Sequence, residues 1–527
     1  MSAAEPISPL PSPGLAAARP RAWLRSSTAL LILLALVDFA GHLAVAGNYG
    51  YFRDELYFLA AGRHLAFGYV DFPPLIALLG RLMQVSAGDN LFAIHVIPAL
   101  AGALLVVVTG LMAREFDGGY LAQGLAALGS MVALVLMATA SIFSMDVLDE
   151  LWWALAAYLV IRLIRRDEPR LWLLVGLVCG IGLTTKLTML FFGFALTLGL
   201  ALSPSRRYFR SRWLYLGGLI AAAFLLPYIL WNARHAWPTW EFWHHYGGLT
   251  GGGPLGFLAN QILAANPFTL PLTIGGLIFF FRHPAGRPYR ALGWTFVILY
   301  LLFTLINAKS YFLLPAYPML FAGGACLIAG VAGRPRWRWL RWGFPALLVL
   351  SGILLAPLAM PVLSPALYAR SYSHLSGAGN SSAGQDTAGV FPQYLGDRFG
   401  WPELAATMAA AYHQLSPAEQ AQACIFTANY GEASALNHDA ARYGLPPAIS
   451  GHNNYFLWGP GRCSGSVLLT VGLSRSEVEE SFASAVHVAT TSCRYCVAGE
   501  NGLPVYLATQ PRFDTVDRAW PRVKHFD

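Results

Sequence analysis

The chain has 527 residues, 56% of them hydrophobic and only 12% charged, where soluble domains run near ~25% charged. Apolar runs of about twenty residues recur, so this is a polytopic membrane protein. The formal net charge of +8 does not mark a nucleic-acid binder, because the basic residues sit in short clusters between apolar runs, with no aromatic–basic interleaving.

The chain opens with "MSAAEPISPLPSPGLAAARPRAWLRSS", rich in Pro, Ser and Ala, and residues 1–27 are expected to be a disordered cytoplasmic segment. The next run, "TALLILLALVDFAGHLAVAG", is longer than a signal-peptide core and has no clear cleavage site, so it reads as a retained first span. Apolar segments at 28–46, 91–113, 120–140, 147–163, 171–184, 187–202, 213–232, 255–281, 291–307, 311–332 and 343–363 predict about eleven transmembrane helices.

The charges then orient the chain. Arg19, Arg21 and Arg25 precede the first span, and Arg114 follows the second. "RLIRRDEPR", "SPSRRYFRSR", "RHPAGRPYR" and "RPRWRWLR" follow the fourth, sixth, eighth and tenth. If the chain crosses at every span, all these loops share one side, which the positive-inside rule makes cytoplasmic. The alternate loops then face outward, and they hold Asp54, Glu55, Asp71, Asp146, Asp149, Glu150, Lys186, Arg234, His244, His245 and Lys309. After about residue 365 the composition changes. "SHLSGAGNSSAGQDTAG" reads as a linker. "ACIFTANYGEASAL", "SVLLTVGLSRSEVEESF" and "LPVYLATQ" read as strands and helices of a soluble α/β domain, 366–527, on the outer side.

Four of the six cysteines, Cys424, Cys463, Cys493 and Cys496, fall in that domain. Outside the cytoplasm they are expected to form at least one disulfide, with the connectivity open. "CRYC" also matches a redox or zinc spacing, but "TTSCRYCVAGENG" looks like a loop.

Taken singly, the outer acids have local roles open to them. Asp54 can cap the helix "ELYFLAAGRHL", Asp71 precedes the helix-starting "FPPL", and Asp146 can cap the fourth span. Taken together, ionisable groups gathered near a membrane mark a pathway or a site. A carboxylate can take a proton from a hydroxyl, and a lysine can steady the charge on a departing phosphate.

At this point four stretches resemble a known family. "GYFRDELYFLAAGRHLAFGYVDFPPL", "SMDVLDELWWAL", "GIGLTTKLTMLFF" and "NAKSYFLLPAYPMLFAGGA" are similar, in order, to motifs of the protein O-mannosyltransferase-like membrane glycosyltransferases, which include the bacterial aminoarabinose transferases. The resemblance covers about residues 28–335. It implies a GT-C transmembrane catalytic domain over 28–365, with a first outer loop at 47–90. It also implies inverting transfer of a sugar from a polyprenyl-phosphate donor to an acceptor hydroxyl of a lipid, glycan or protein. By the same resemblance Asp54 is the catalytic acid with Glu55 beside it, and Asp146 is a supporting acid. Lys186, Lys309, Tyr311 and Arg53 meet the donor phosphate, and Asp71, Pro73 and Pro74 support the loop. The aminoarabinose transferases carry a Lys directly before Pro–Pro. Here that position is Phe72, so the phosphate contact must come from elsewhere, with Arg53, Arg234 or a histidine of "WHHY" as candidates. "NYGEASALN", "RYGLPPAISGHNNYFLWGP" and "WPRVKHF" look like a domain of a bacterial branch whose acceptors are not implied.

The implied location is the bacterial inner membrane, multi-pass, with the C-terminal domain periplasmic. No cofactor or metal is expected, since a lipid monophosphate needs cationic help more than a bridging ion, and adjacent His244 and His245 point apart on a helix. A solute or lipid transporter and a non-catalytic envelope scaffold are the rival readings. An enzyme should gather Asp54, Asp146 and Lys186 beside a cavity open to lipid; a transporter should place its ionisable groups near mid-membrane.

Overall fold

The structure is a computed structural model that describes residues 26–245, 253–376 and 390–527. The expected disordered N-terminus and most of the Ser/Gly linker lie outside the described residues. Helices occupy the expected positions. They include Ser27–Val45, Leu91–Glu115, Met145–Arg166, Trp172–Thr185, Met189–Ala201, Arg212–Arg234, Arg290–Leu305, Tyr317–Ala332 and Leu340–Leu355. Among the described residues six helices are long and apolar enough to cross a membrane, or up to eight if each of two bent pairs is one span. Their outward faces are bare leucines such as Leu33 and Leu219, more than half exposed. Such faces suit lipid as solvent and would be an aggregation hazard in water.

The third and eighth expected spans are not single rods. The third ends at Met131 and resumes as the short Leu134–Thr139 helix. The eighth breaks into Gly253–Ala264 and Pro267–Phe281, a pair bent by 91°. The break has a local cause. Asn266 sits at φ +69° and its side chain accepts from Phe268 N, so the chain turns and restarts at Pro267.

Between the first two long helices the first outer loop folds as two helices, Arg53–Arg63 and Leu75–Ala87. Pro73 and Pro74 precede the second, where a missing N–H costs nothing. Residues 390–527 form a five-stranded sheet with flanking helices. The strands are β1 Ala423–Thr427, β2 Ala448–Ser450, β3 Val467–Val471, β4 Phe482–Thr490 and β5 Pro504–Pro511, in the order β2-β1-β3-β5-β4. β1 pairs in parallel with β2 and β3; β5 runs antiparallel to β3 and β4. β1 and β3 were legible as short apolar runs because they are buried on both faces. A disulfide joins Cys424 to Cys463, while Cys493 and Cys496 are thiols.

The sheet region docks on the first outer loop. The Tyr430–Tyr443 helix packs on Arg53–Arg63, with the Tyr430 ring stacked on Tyr57 at 4.3 Å. Asn454 accepts from Val70 N at 2.9 Å, and Arg398, fully buried, donates to Ser141 O at 2.8 Å.

Candidate active site

The site is built where the loop helix Arg53–Arg63, the start of Met145–Arg166, the break before Met189–Ala201 and the loop before Tyr317–Ala332 meet. Each position has a sequence reason. Asp54 lies in the first turn of its helix, where the backbone dipole favours an acid. Asp146 lies in the first turn of a helix capped by Ser144. Lys186 ends Trp172–Thr185 in extended geometry. Lys309 precedes a 3₁₀ stretch at Ser310–Ala316.

Asp146 and Lys186 form an ion pair. The Lys186 ammonium also stands over the rings of Tyr311 and Phe312, 5.0 and 4.7 Å from their centroids, where the ring faces attract a cation. Asp54 accepts a hydrogen bond from the Tyr430 hydroxyl at 2.8 Å. Burial raises its pKa above the ordinary carboxylate value, against the pull of Arg53 and the Tyr430 hydrogen bond. Lys309 feels the charges of Asp54, Lys186, Asp146 and Arg53, and burial lowers its pKa. The sequence-predicted Asp54, Asp146, Lys186, Lys309 and Tyr311 are thus brought into one electrostatic neighbourhood.

The other expected site residues fall differently. Arg53 is spent on the sheet region: it pairs with Asp397 at 3.1 Å and reaches Glu500 at 3.8 Å. Its guanidinium lies 5.8 Å from the Tyr430 ring centroid. Glu55, expected beside Asp54 in catalysis, is fully buried and spends both oxygens on structure. Oε1 meets His95 Nε2 and the Phe143 N–H, each at 2.7 Å, and Oε2 accepts from Phe52 N at 2.8 Å. Asp71 accepts from Tyr57 and from Asn454, each at 3.1 Å, and burial pushes it up to about 7. Phe72 is core, packed on Phe58 and Tyr69 at 5.0 and 4.6 Å. No ligand role is open to it, in keeping with the absence of lysine there. Arg234 and His244 are exposed.

Sequence reasoning missed Tyr430 and Asn454. The signal was present in "NYGE": Asn429 caps the Tyr430–Tyr443 helix, with Glu432 returning to the cap backbone. That locates a helix start but not what it faces.

A cavity of about 440 Å³ has Thr184, two residues before Lys186 in the chain, in its lining. It is also lined by Phe67, Pro74 and Leu78 of the first outer loop, and by Phe224 and Pro227 of the Arg212–Arg234 helix. It is almost wholly apolar.

Residues 71–231 match the family model described as dolichyl-phosphate-mannose-protein mannosyltransferase. A crystal structure of ArnT from Cupriavidus metallidurans bound to undecaprenyl phosphate superposes with a TM-score of 0.60 at 16% identity, covering 93% of this chain and 98% of that one. The chain has the GT-C fold of that structure. The apo ArnT structure gives the same GT-C match at a TM-score of 0.59 and 15% identity, over 92% and 98% of the two chains. The lipid A galacturonosyltransferase RgtD of Rhizobium johnstonii is 28% identical over 187 residues. That alignment spans 35% of this chain and 39% of the relative.

Proposed function

We propose that the chain is an inverting glycosyltransferase that moves a sugar from a polyprenyl-phosphate donor to an acceptor hydroxyl at the outer face of a bacterial inner membrane. The observation that carries this is the meeting of Asp54, the Asp146–Lys186 pair and Lys309, on a chain that also holds an apolar cavity lined by Thr184 and the first outer loop. That is the arrangement a phosphate on a lipid requires: grease for the chain, ammonium groups for the head. Asp54 takes the acceptor proton as the hydroxyl attacks the anomeric carbon. A raised carboxylate pKa suits that task near neutral pH. The donor's anomeric C–O bond breaks, and the phosphate leaves with its charge met by Lys186 and Lys309. Tyr311 and Phe312 hold the Lys186 ammonium in place.

ArnT is named for a structure holding undecaprenyl phosphate and RgtD for sugar transfer to lipid A, which supports a lipid-linked donor and an envelope acceptor here. In this reading the sheet region lies on the periplasmic side, over the site. The test is transfer by purified protein from a polyprenyl-phosphate sugar, read by mass spectrometry. Asp54→Asn should lower turnover by about a hundred- to ten-thousand-fold with folding retained. Full turnover by that variant overturns the role of Asp54, and failure of the wild type to use any lipid-linked donor overturns the reading.

A further inference from the structure

The stretch "WPRVKHFD" plays no part in the transfer chemistry, yet it is firmly placed. Residues 523–527 run alongside Gly451–Asn453, just past β2. His525 N donates to Gly451 O at 3.1 Å and Asn453 N to His525 O at 3.0 Å, a parallel bridge between His452 and His525. Gly451 is required there: a Cβ would lie 1.8 Å from Val523 O. Phe526 is buried with Val70 and Phe242, and Lys524 pairs with Glu241 at 2.6 Å, so the segment ties the sheet region to two outer elements of the membrane part.

This placement converges three ligand-type side chains. The rings of His452 and His525 are 4.5 Å apart, and His452 Nε2 is 2.9 Å from Asp527 Oδ1. One donor atom from each of His452, His525 and Asp527 lies within 4.8 Å of the others. His525 directs Nδ1 at Val523 O, 3.0 Å away, which leaves the Nε2 lone pair outward, the tautomer of a metal ligand oriented from behind. His452 leaves Nδ1 buried without a hydrogen-bond partner. His245, at the end of the Pro238–His245 helix, is close enough for its charge to be felt at Asp527.

We propose that His452, His525 and Asp527 form a binding site for a divalent transition metal of the zinc class. Two imidazoles and a carboxylate are the donors such an ion takes, leaving a fourth position for water or a further donor. Zinc bonds of roughly 2.0–2.1 Å ask the three donors to draw in by modest side-chain rotation. On binding, the His452–Asp527 hydrogen bond is exchanged for two metal bonds, and the imidazole proton passes from Nε2 to Nδ1, so that His452 ligates as a neutral ring. The ion acts as a clamp, not at the reacting atoms. The His452 ring lies 4.9 Å from the Tyr430 ring, and Tyr430 holds Asp54, so the clamp backs the residue that positions the base.

The site does not depend on the transferase reading, and its test reads metal directly. Full-length protein in detergent, stripped with EDTA and dialysed, is titrated with zinc chloride and followed by elemental analysis and thermal unfolding. One zinc per chain and a rise in Tm are expected. Asp527→Asn, a conservative change at a mostly exposed side chain, should weaken binding at least tenfold and abolish the Tm rise, and His525→Ala should do the same. His244→Ala should change neither. No zinc-dependent rise in the wild type, or an equal rise in Asp527→Asn, overturns the site.

Discussion

Tyr430 reaches Asp54 from a helix nearly four hundred residues along the chain, and its hydrogen bond gives the site a pH signature. Donation to the charged carboxylate lowers the Asp54 pKa, against burial, which raises it. In the proposed mechanism Asp54 works deprotonated, so activity should climb with pH through that pKa. Tyr430→Phe removes the donor and should move the acidic limb of kcat to higher pH, with a several-fold loss near neutrality that alkaline pH recovers. A pH–rate profile identical to wild type would remove Tyr430 from the positioning of the base. Glu55, one residue on, has the other fate. Burial would raise its pKa, but His95 and the backbone N–H of Phe143 outweigh it, and the group sits below the ordinary glutamate value. Its folded pKa lies below the unfolded one, so its stabilisation is present above about pH 4.3 and lost as pH falls through the folded value. Glu55→Gln turns an amide donor toward N–H groups and should cost about 1–3 kcal/mol at neutral pH. Thermal melts should show that gap narrowing in acid, while turnover at low temperature stays within a few-fold. Residue types were legible here where burial was not. "RDE" announces three charged groups, but only the fold shows that Arg53 and Glu55 are turned to structural partners and Asp54 to the site.

The elements were largely legible, since a water-soluble fold has little use for repeated twenty-residue apolar runs. What composition could not reveal is where a run bends. "GPLGFLANQILAANPFTLPLTIGGLIFFF" is apolar throughout, and its right-angle break rests on one asparagine at positive φ before proline. β4 escaped for the opposite reason: it is mostly exposed, with only Phe482 buried, so it carries no clear apolar alternation. Between helices, close approach of small residues does the work that hydrophobic exclusion does in water. Trp172–Thr185 and Arg212–Arg234 meet at Gly176 and Gly217. A Cβ on Gly176 would lie 2.1 Å from Gly217 O, and one on Gly217 would lie 2.2 Å from Trp172 O. Gly217→Val therefore must part the two helices. It should cost about 1–3 kcal/mol or more, seen as a fall in Tm in detergent. Because Phe224 and Pro227 of the second helix line the apolar cavity, KM for the lipid donor should rise more than kcat falls. An unchanged melt would show that these helices are not held at this crossing.

At the scale of the whole molecule, the sheet region and the membrane part share one site. Arg53 pairs with Asp397 and Glu500, Tyr57 stacks on Tyr430, and Asp71 accepts from Asn454, so the docked region completes the loop that carries Asp54. The covalent brace in that region is Cys424–Cys463, 39 residues apart in sequence. It ties β1 to the turn before β3. Closing a loop of that length is worth about 3–4 kcal/mol in the chain-entropy account. Reduction should therefore lower the thermal stability of the sheet region by that order and, through its docking, loosen Tyr430 from Asp54. The remaining pair gives the readout. The Cys496 hydrogen bond pulls the Cys493 thiol down to about 7, and Cys496 N–H also points at Cys493 Sγ at 3.1 Å. Cys493 is half-buried and should be the first thiol of the region to react near neutral pH. In the periplasmic orientation a membrane-impermeant thiol reagent added to unreduced cells with a permeable outer membrane should label Cys493. Cys424 and Cys463 should react only after reduction. Labelling of Cys424 without reductant would refute the brace. Labelling of Cys493 only after the inner membrane is opened would put the sheet region in the cytoplasm, and Asp54, which it contacts, with it.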